Sequence, residues 1–281
     1  MEAVGYPFYI HFEDFCKVLN IELKGPQPDY IFYGFDHLAL AEFKGHYWCN
    51  NRGKCCTNKY LKNIYDRKIK NWIERFQVDL IHTDRLKGWV VSSCFGGRNS
   101  SKVFALDPGH YDGHNKFGHK VDPNIVLDII LRDNYGRWLQ IMGLDVVGLR
   151  LRLGIAKNSF PKIPFSIRNI AGTNFAFLDY ENYIKKLYRL NYAQIFDNGC
   201  LYNCIRYRSI ISNIKVGIRY DILKRIFSTL REGYKLTQVK PLSPEDVMDN
   251  TNEQLAYFSD GAIGILSEEF DKYKEVEVVW L

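Results

Sequence analysis

The stretch PDYIFYGFDHLALAEFKG, residues 28–45, places Asp29 ahead of the triplet Glu42-Phe43-Lys44. Its two β-type runs, Tyr30–Tyr33 and Leu38–Lys44, flank a Gly- and Asp-bearing turn around Phe35-Asp36. Paired as a hairpin about that turn, Tyr33 faces Leu38, Ile31 faces Leu40 and Asp29 faces Glu42. Directly opposed residues have Cβ atoms about 4.5–5.5 Å apart. Two carboxylates at that separation repel unless a positive charge lies between them. A hard divalent cation suits the place, because it takes oxygen ligands and keeps waters for reaction. Strand alternation sets Lys44 on the face of Glu42, where an ammonium can hold a water or offset phosphate charge. Phe43 points away, but its carbonyl can be a further ligand. This is equipment for metal-assisted phosphodiester hydrolysis.

Other elements must hold these groups in place. Tyr9–Asn20 carries apolar residues near helical spacing, and Ile21–Lys24 reads as a short strand. Leu38–Ala41 is apolar throughout, as in a strand buried on both faces. Residues 45–57 read as a loop. Asn58–Phe76 is the clearest helix, with Leu61, Ile64, Ile69, Trp72, Ile73 and Phe76 as its apolar stripe. Gly88–Phe95 and Lys102–Leu106 read as strands, and Pro123–Leu131 as a helix.

With these residues and this element order, the first half resembles the PD-(D/E)XK nuclease superfamily, the restriction-endonuclease-like and junction-resolvase-like enzymes. The matching residues are Pro28-Asp29 and Glu42-Phe43-Lys44, and the resemblance spans about residues 9–107. It implies an α/β fold with a restriction-endonuclease-like core: helix, three-stranded meander, helix, strand. It implies Asp29 and Glu42 as ligands of Mg²⁺ or Mn²⁺ and Lys44 as the partner of the nucleophilic water. A family Glu on the first helix would fall on Glu13, with Asp14 and Glu22 competing for that role. No Gln-x-x-x-Tyr element follows the core helix, so the likeness is to the endonuclease branch. By analogy a homodimer is expected.

Charge separates the two halves. The chain has 281 residues and a net charge of +6. Residues 145–240 hold 17 Lys/Arg against 6 Asp/Glu, and residues 241–281 hold 2 against 10. A basic block is therefore masked by an acidic segment. Tyrosines are interleaved with the charges, a mixture that can stack bases and neutralise phosphates. It equally suits an aromatic core beneath a solvated basic face. Lys185, Lys186, Arg189, Lys224 and Arg225 are the candidate nucleic-acid contacts, on two basic helices near 179–196 and 219–232. Residues 145–155 alternate as a strand would, an acidic helix is expected after Pro244, and the terminal VEVVW reads as strand. The expected division is residues 1–140 as catalytic core and 145–281 as an α+β substrate-binding extension.

Composition excludes disorder, collagen and a simple coiled coil, with 46% hydrophobic and 25% charged residues. No apolar run nears the ~20 residues of a membrane helix. The N-terminal stretch lacks a basic n-region, so a cytoplasmic protein with no membrane partner is expected. Seven cysteines, an odd count, agree with free thiols in a reducing compartment. Cys49, Cys55 and Cys56, or His110, His114 and His119, form a rival reading as a metal-binding interaction protein. A nucleic-acid-binding protein on the same fold that does not cut is the other rival.

Overall fold

A computed structural model describes residues 6–34, 37–47, 57–78, 86–96, 100–106, 119–156, 162–183, 213–237, 239 and 254–281. The chain is a mixed α/β protein in two compact units, Ala3–Ile130 and Leu131–Leu281.

The first unit is built on a five-stranded sheet in the order β1-β2-β3-β5-β6. Its strands are β1 (Phe8–His11), β2 (Tyr30–Gly34), β3 (His37–Tyr47), β5 (Lys87–Gly96) and β6 (Ser100–Leu106). The pairs β1–β2, β2–β3 and β5–β6 are antiparallel, and β3–β5 is parallel. The hairpin register is the one the turn predicts: Tyr33 faces Leu38, Ile31 faces Leu40 and Tyr30 faces Ala41. Leu38, Ala39, Leu40 and Ala41 are all fully buried, as a strand covered on both faces requires. A short parallel pair joins β4 (Phe76–Val78) to β7 (His119–Val121).

The start of the chain differs from expectation. Residues 8–11 form β1, and only Phe12–Val18 form α1. The alternation of Phe8 and Ile10 inside with Tyr9 and His11 outside is a period-2 strand signal that the aromatic content disguised. Ile21–Lys24 is not a strand. Asn20 takes a left-handed φ of 58°, and the Ile21 amide donates to the Cys16 carbonyl, which closes α1 and turns the chain away from the sheet. The strand beside β2 thus precedes α1 instead of following it.

The predicted core helix spans α2 (Asn58–Ile64), a wider π-helical turn (Tyr65–Lys70) and α3 (Asn71–Arg75). Thr57 caps it, its hydroxyl accepting from the Tyr60 amide. Leu61, Tyr65, Ile69, Trp72 and Ile73 are buried. The helix lies very close to the sheet at Gly88, where a Cβ would come within 2.6 Å of both Ile69 Cγ2 and Tyr65 Cε2. Gly88 is the register partner of Leu40, two residues before Glu42.

The second unit carries a six-stranded antiparallel sheet in the order β11-β12-β10-β9-β8-β13. These are β8 (Pro164–Ile170), β9 (Thr173–Leu178), β10 (Ile214–Arg219), β11 (Leu255–Tyr257), β12 (Ala262–Leu266) and β13 (Glu275–Trp280). Helix α4 (Pro123–Ile141) is longer than predicted and contains the boundary between the units. Residues 145–155 are not a strand: Asp145–Arg152 form helix α5. The Leu-Arg-Leu-Arg alternation is overridden by tertiary packing. Gly136 and Gly148 let α4 and α5 touch, since a Cβ on Gly148 would lie 2.3 Å from the Gly136 carbonyl oxygen. Arg137 and Arg152 both donate to the buried Asp133 at 2.7 Å. Helix α6 (Tyr220–Glu232) lies on the sheet, Phe227 meeting Phe165 edge-on at 5.7 Å, and α7 (Ser267–Phe270) follows β12. The predicted helix near 219–232 and the terminal strand are both present. The acidic helix expected after Pro244 lies outside the described residues.

Candidate active site

Asp29 stands just before β2 and is fixed at three points. Its amide donates to the Ala41 carbonyl and its carbonyl accepts from the Phe12 amide, both at 3.0 Å. Its Oδ2 accepts from the Phe43 amide at 2.8 Å. The side chain thus reaches across the hairpin to the backbone beside Glu42. The fixation depends on α1 and β3 together, because Phe12 opens the one and Phe43 belongs to the other.

Glu42 is completely buried. Its Oε1 accepts from two ammonium groups: Lys44 Nζ, two residues along β3, and Lys68 Nζ at 2.5 Å, from the π-helical turn. Its Oε2 is buried and has no hydrogen-bond partner among the described residues. Lys44 and Lys68 are each about one-third exposed, at 31% and 30%, so the centre opens to solvent on the lysine side. Burial pulls the Lys44 ammonium toward neutrality. The hydrogen bond and charge of Glu42, with the charge of Asp29, outweigh it and raise its pKa above the ordinary lysine value. Lys44 is therefore a firm ammonium, suited to donating a hydrogen bond and to balancing negative charge.

The oxygen donors near this centre are the Asp29 carboxylate, Glu42 Oε2 and the Phe43 carbonyl. All are hard ligands of the kind Mg²⁺ and Mn²⁺ prefer. The buried, unpartnered Glu42 oxygen is what fits a cation here, since such an atom otherwise costs about 1–3 kcal/mol. Among the described residues no three His, Cys, Asp or Glu side chains gather as a metal cluster, so the candidate set is two carboxylates and a carbonyl.

Glu13 directly follows Phe12, whose amide meets the Asp29 carbonyl. Its side chain is 63% exposed on α1, where it pairs with Lys17 at 4.0 Å. Asp14 pairs with the same lysine at 3.8 Å, and Glu22 pairs with Lys24 at 2.8 Å. Lys224 and Arg225 occupy the exposed face of α6, Lys224 over the Tyr220 ring at 4.5 Å. Lys185, Lys186 and Arg189 lie outside the described residues, as do Cys49, Cys55, Cys56, His110 and His114; His119 is on β7. No helix among the described residues is long and apolar enough to cross a membrane.

Lys68 is the site residue that sequence reasoning missed. It is one of several lysines on a basic helix, and no motif marks it. A signal did exist: it stands three residues after Tyr65 and four before Trp72, on the border of the buried stripe, where a charge needs a partner. Comparison of the chain with protein-family models, with curated proteins and with solved structures finds no match.

Proposed function

We propose that this protein is a divalent-metal-dependent nuclease, most simply a DNA endonuclease, with its active centre at Asp29, Glu42 and Lys44. The observation that carries the reading is the state of Glu42. It is a fully buried carboxylate in the middle of β3, just after the apolar run Leu38–Ala41, with one oxygen held by lysines and the other unpartnered among the described residues. The unpartnered oxygen offers a hard ligand to a cation and the lysines offer charge to a phosphate, which suits a metal-phosphate site. The sheet supports the comparison with restriction-endonuclease-like cores in its antiparallel β1-β2-β3 set, its parallel β3–β5 pair and the intervening helix. The strand beside β2 precedes α1, which departs from that core.

Asp29, Glu42 and the Phe43 carbonyl would hold Mg²⁺ or Mn²⁺. Bound there, the metal supplies water activation and charge neutralisation at phosphorus. The rest belongs to the chain. Two main-chain bonds fix the Asp29 backbone and the Phe43 amide holds its carboxylate, so little reorganisation remains at the moment of reaction. Lys44, held as an ammonium, orients the attacking water and balances charge on the phosphate. The basic stretch 145–240 would grip the phosphate backbone.

The test is incubation of pure protein with plasmid, single-stranded, branched and RNA substrates plus Mg²⁺ or Mn²⁺. Lys44→Ala is the control. Metal-dependent cleavage lost in Lys44→Ala is expected. Cleavage by Lys44→Ala at the wild-type rate would remove the assignment. Nucleic-acid binding without cleavage under any metal would favour a binding protein on this fold.

A further inference from the structure

Two lysines meet at Glu42, and the Asp29 carboxylate acts on one of them, Lys44. Two ammonium groups converge on Oε1, while Oε2, equally buried, has no partner. A buried pair that served only stability would satisfy both oxygens, because an unmet buried acceptor is costly. The second ammonium has a definite origin, the π-helical turn Tyr65–Lys70. Such wide turns recur at functional sites. Gly88 lets Tyr65 and Ile69 of that turn sit directly on the sheet, which holds the lysine at the strand carrying Glu42.

We propose that Lys68 is a second phosphate-binding cation of this centre, paired with Lys44 across the scissile phosphate. The assignment rests on the nuclease reading above and adds a residue to it. The physical step is an exchange of partners. With a divalent cation held at Oε2, the two ammonium groups that share Oε1 would be repelled, and a phosphate oxygen is the anion that could receive one of them. Lys44, tied also to Asp29 by charge, would remain at the carboxylates. Lys68, on a side chain from the facing helix and 30% exposed, turns to a non-bridging oxygen of the phosphate. It makes and breaks no covalent bond. Its contribution is to the charge that grows on phosphorus-bound oxygen in the transition state.

Two measurements test this on the full chain. In the first, cleavage by Lys68→Ala and Lys68→Arg is compared with wild type in Mn²⁺. A fall in kcat of about 10²-fold for alanine is expected, as for loss of one transition-state donor, with partial recovery for arginine. Lys68→Ala at the wild-type rate, or an arginine variant no better than alanine, overturns the proposal. The second is independent of cleavage. Inorganic phosphate is titrated by calorimetry into wild type and Lys68→Ala, each saturated with Mg²⁺, and Mn²⁺ is titrated into each alone. Phosphate should bind the variant at least several-fold more weakly, and Mn²⁺ several-fold more tightly, since a competing cation is gone. Equal phosphate affinity in both proteins overturns the proposal. If the wild type cuts no substrate but the phosphate difference holds, the nuclease reading fails and the Lys68 anion site stands.

Discussion

Glu42 on β3 and Asp260 between β11 and β12 are both buried carboxylates, at 0% and 2% exposure. Their surroundings are opposite. Asp260 Oδ2 accepts from Asn134 Nδ2 at 2.8 Å and from Trp138 Nε1, and its Oδ1 accepts from the Ala262 amide at 3.0 Å. Its own carbonyl accepts from the Tyr135 hydroxyl at 2.6 Å. Both carboxylate oxygens are met by neutral donors, and the network fastens α4 to the turn before β12. Glu42 has two charged donors on one oxygen and none on the other. Burial alone therefore does not distinguish a structural carboxylate from a reactive one. The distribution of donors is what separates the two: both Asp260 oxygens are met, and under the proposed function the open Glu42 oxygen is the one that would take a cation.

The comparison breaks most sharply through Glu42→Gln. The amide keeps the shape and loses the charge, so cleavage should fall by about 10³-fold, the scale of losing a principal transition-state group. Thermal unfolding should shift little, since the change also removes a buried charge. A variant that cuts normally and melts far lower would make Glu42 another Asp260. The reciprocal change is Asp260→Ala, which leaves the Asn134, Trp138 and Ala262 donors unpaired. A destabilisation of about 3 kcal/mol is expected from those orphaned donors. Urea unfolding read by tryptophan fluorescence reports it, with Trp138 inside the network. Stability within about 0.5 kcal/mol of wild type, as for an ordinary surface change, would show that the network fastens nothing.

Asp260 also gives the comparison a pH dependence. Burial raises its pKa, and its hydrogen bonds from Asn134, Ala262 and Trp138 only partly pull it back. A folded-state pKa above the unfolded one means that ionisation costs stability. The contribution is full below the ordinary aspartate range and is lost as pH rises through the raised value. The contribution of Asp260 to the unfolding free energy should therefore decline on going upward from about pH 4, the ordinary aspartate region, and shows as the difference between wild type and Asp260→Asn. Asp260→Asn should flatten that decline, and an unchanged slope in the variant would assign it to other groups.

Much of the first sheet was legible in the sequence because a single turn fixes a hairpin register, and register carries the pairing of Asp29 with the Glu42 end of β3. The buried Leu38–Ala41 run and the core helix were legible for the same kind of reason, a clear period. Lys68 was not, because its partner is 26 residues away and the two meet only through the packing of the helix on the sheet. Strand β1 and helix α5 were misread where four-residue patterns carry too little signal to outweigh packing. The Asp133 and Asp260 networks were invisible, since each depends on contacts that no local spacing encodes.

Gly88→Ala sharpens the comparison from the side of the helix. The added methyl meets Ile69 and Tyr65 at 2.6 Å, so the π-helical turn must move off β5. Overpacking of this kind costs about 1–3 kcal/mol. If Lys68 acts only through its place over Glu42, the variant loses cleavage out of proportion to stability, and Lys68→Ala adds little to it. Independent, additive losses would separate the glycine from the site.

The smallest expected effect concerns the second unit. Lys224 and Arg225 stand on the exposed face of α6. If they contact phosphates, Lys224→Gln with Arg225→Gln should lower the slope of log K against log salt by up to about 2, roughly one per contact on duplex DNA. Cleavage at saturating DNA should hold at the wild-type rate, because neither residue belongs to the reacting centre. A salt slope equal to wild type would leave the basic stretch as a solvated helical face. An altered kcat at saturation would mean that chemistry and grip are not divided between the two units as the two buried carboxylates suggest.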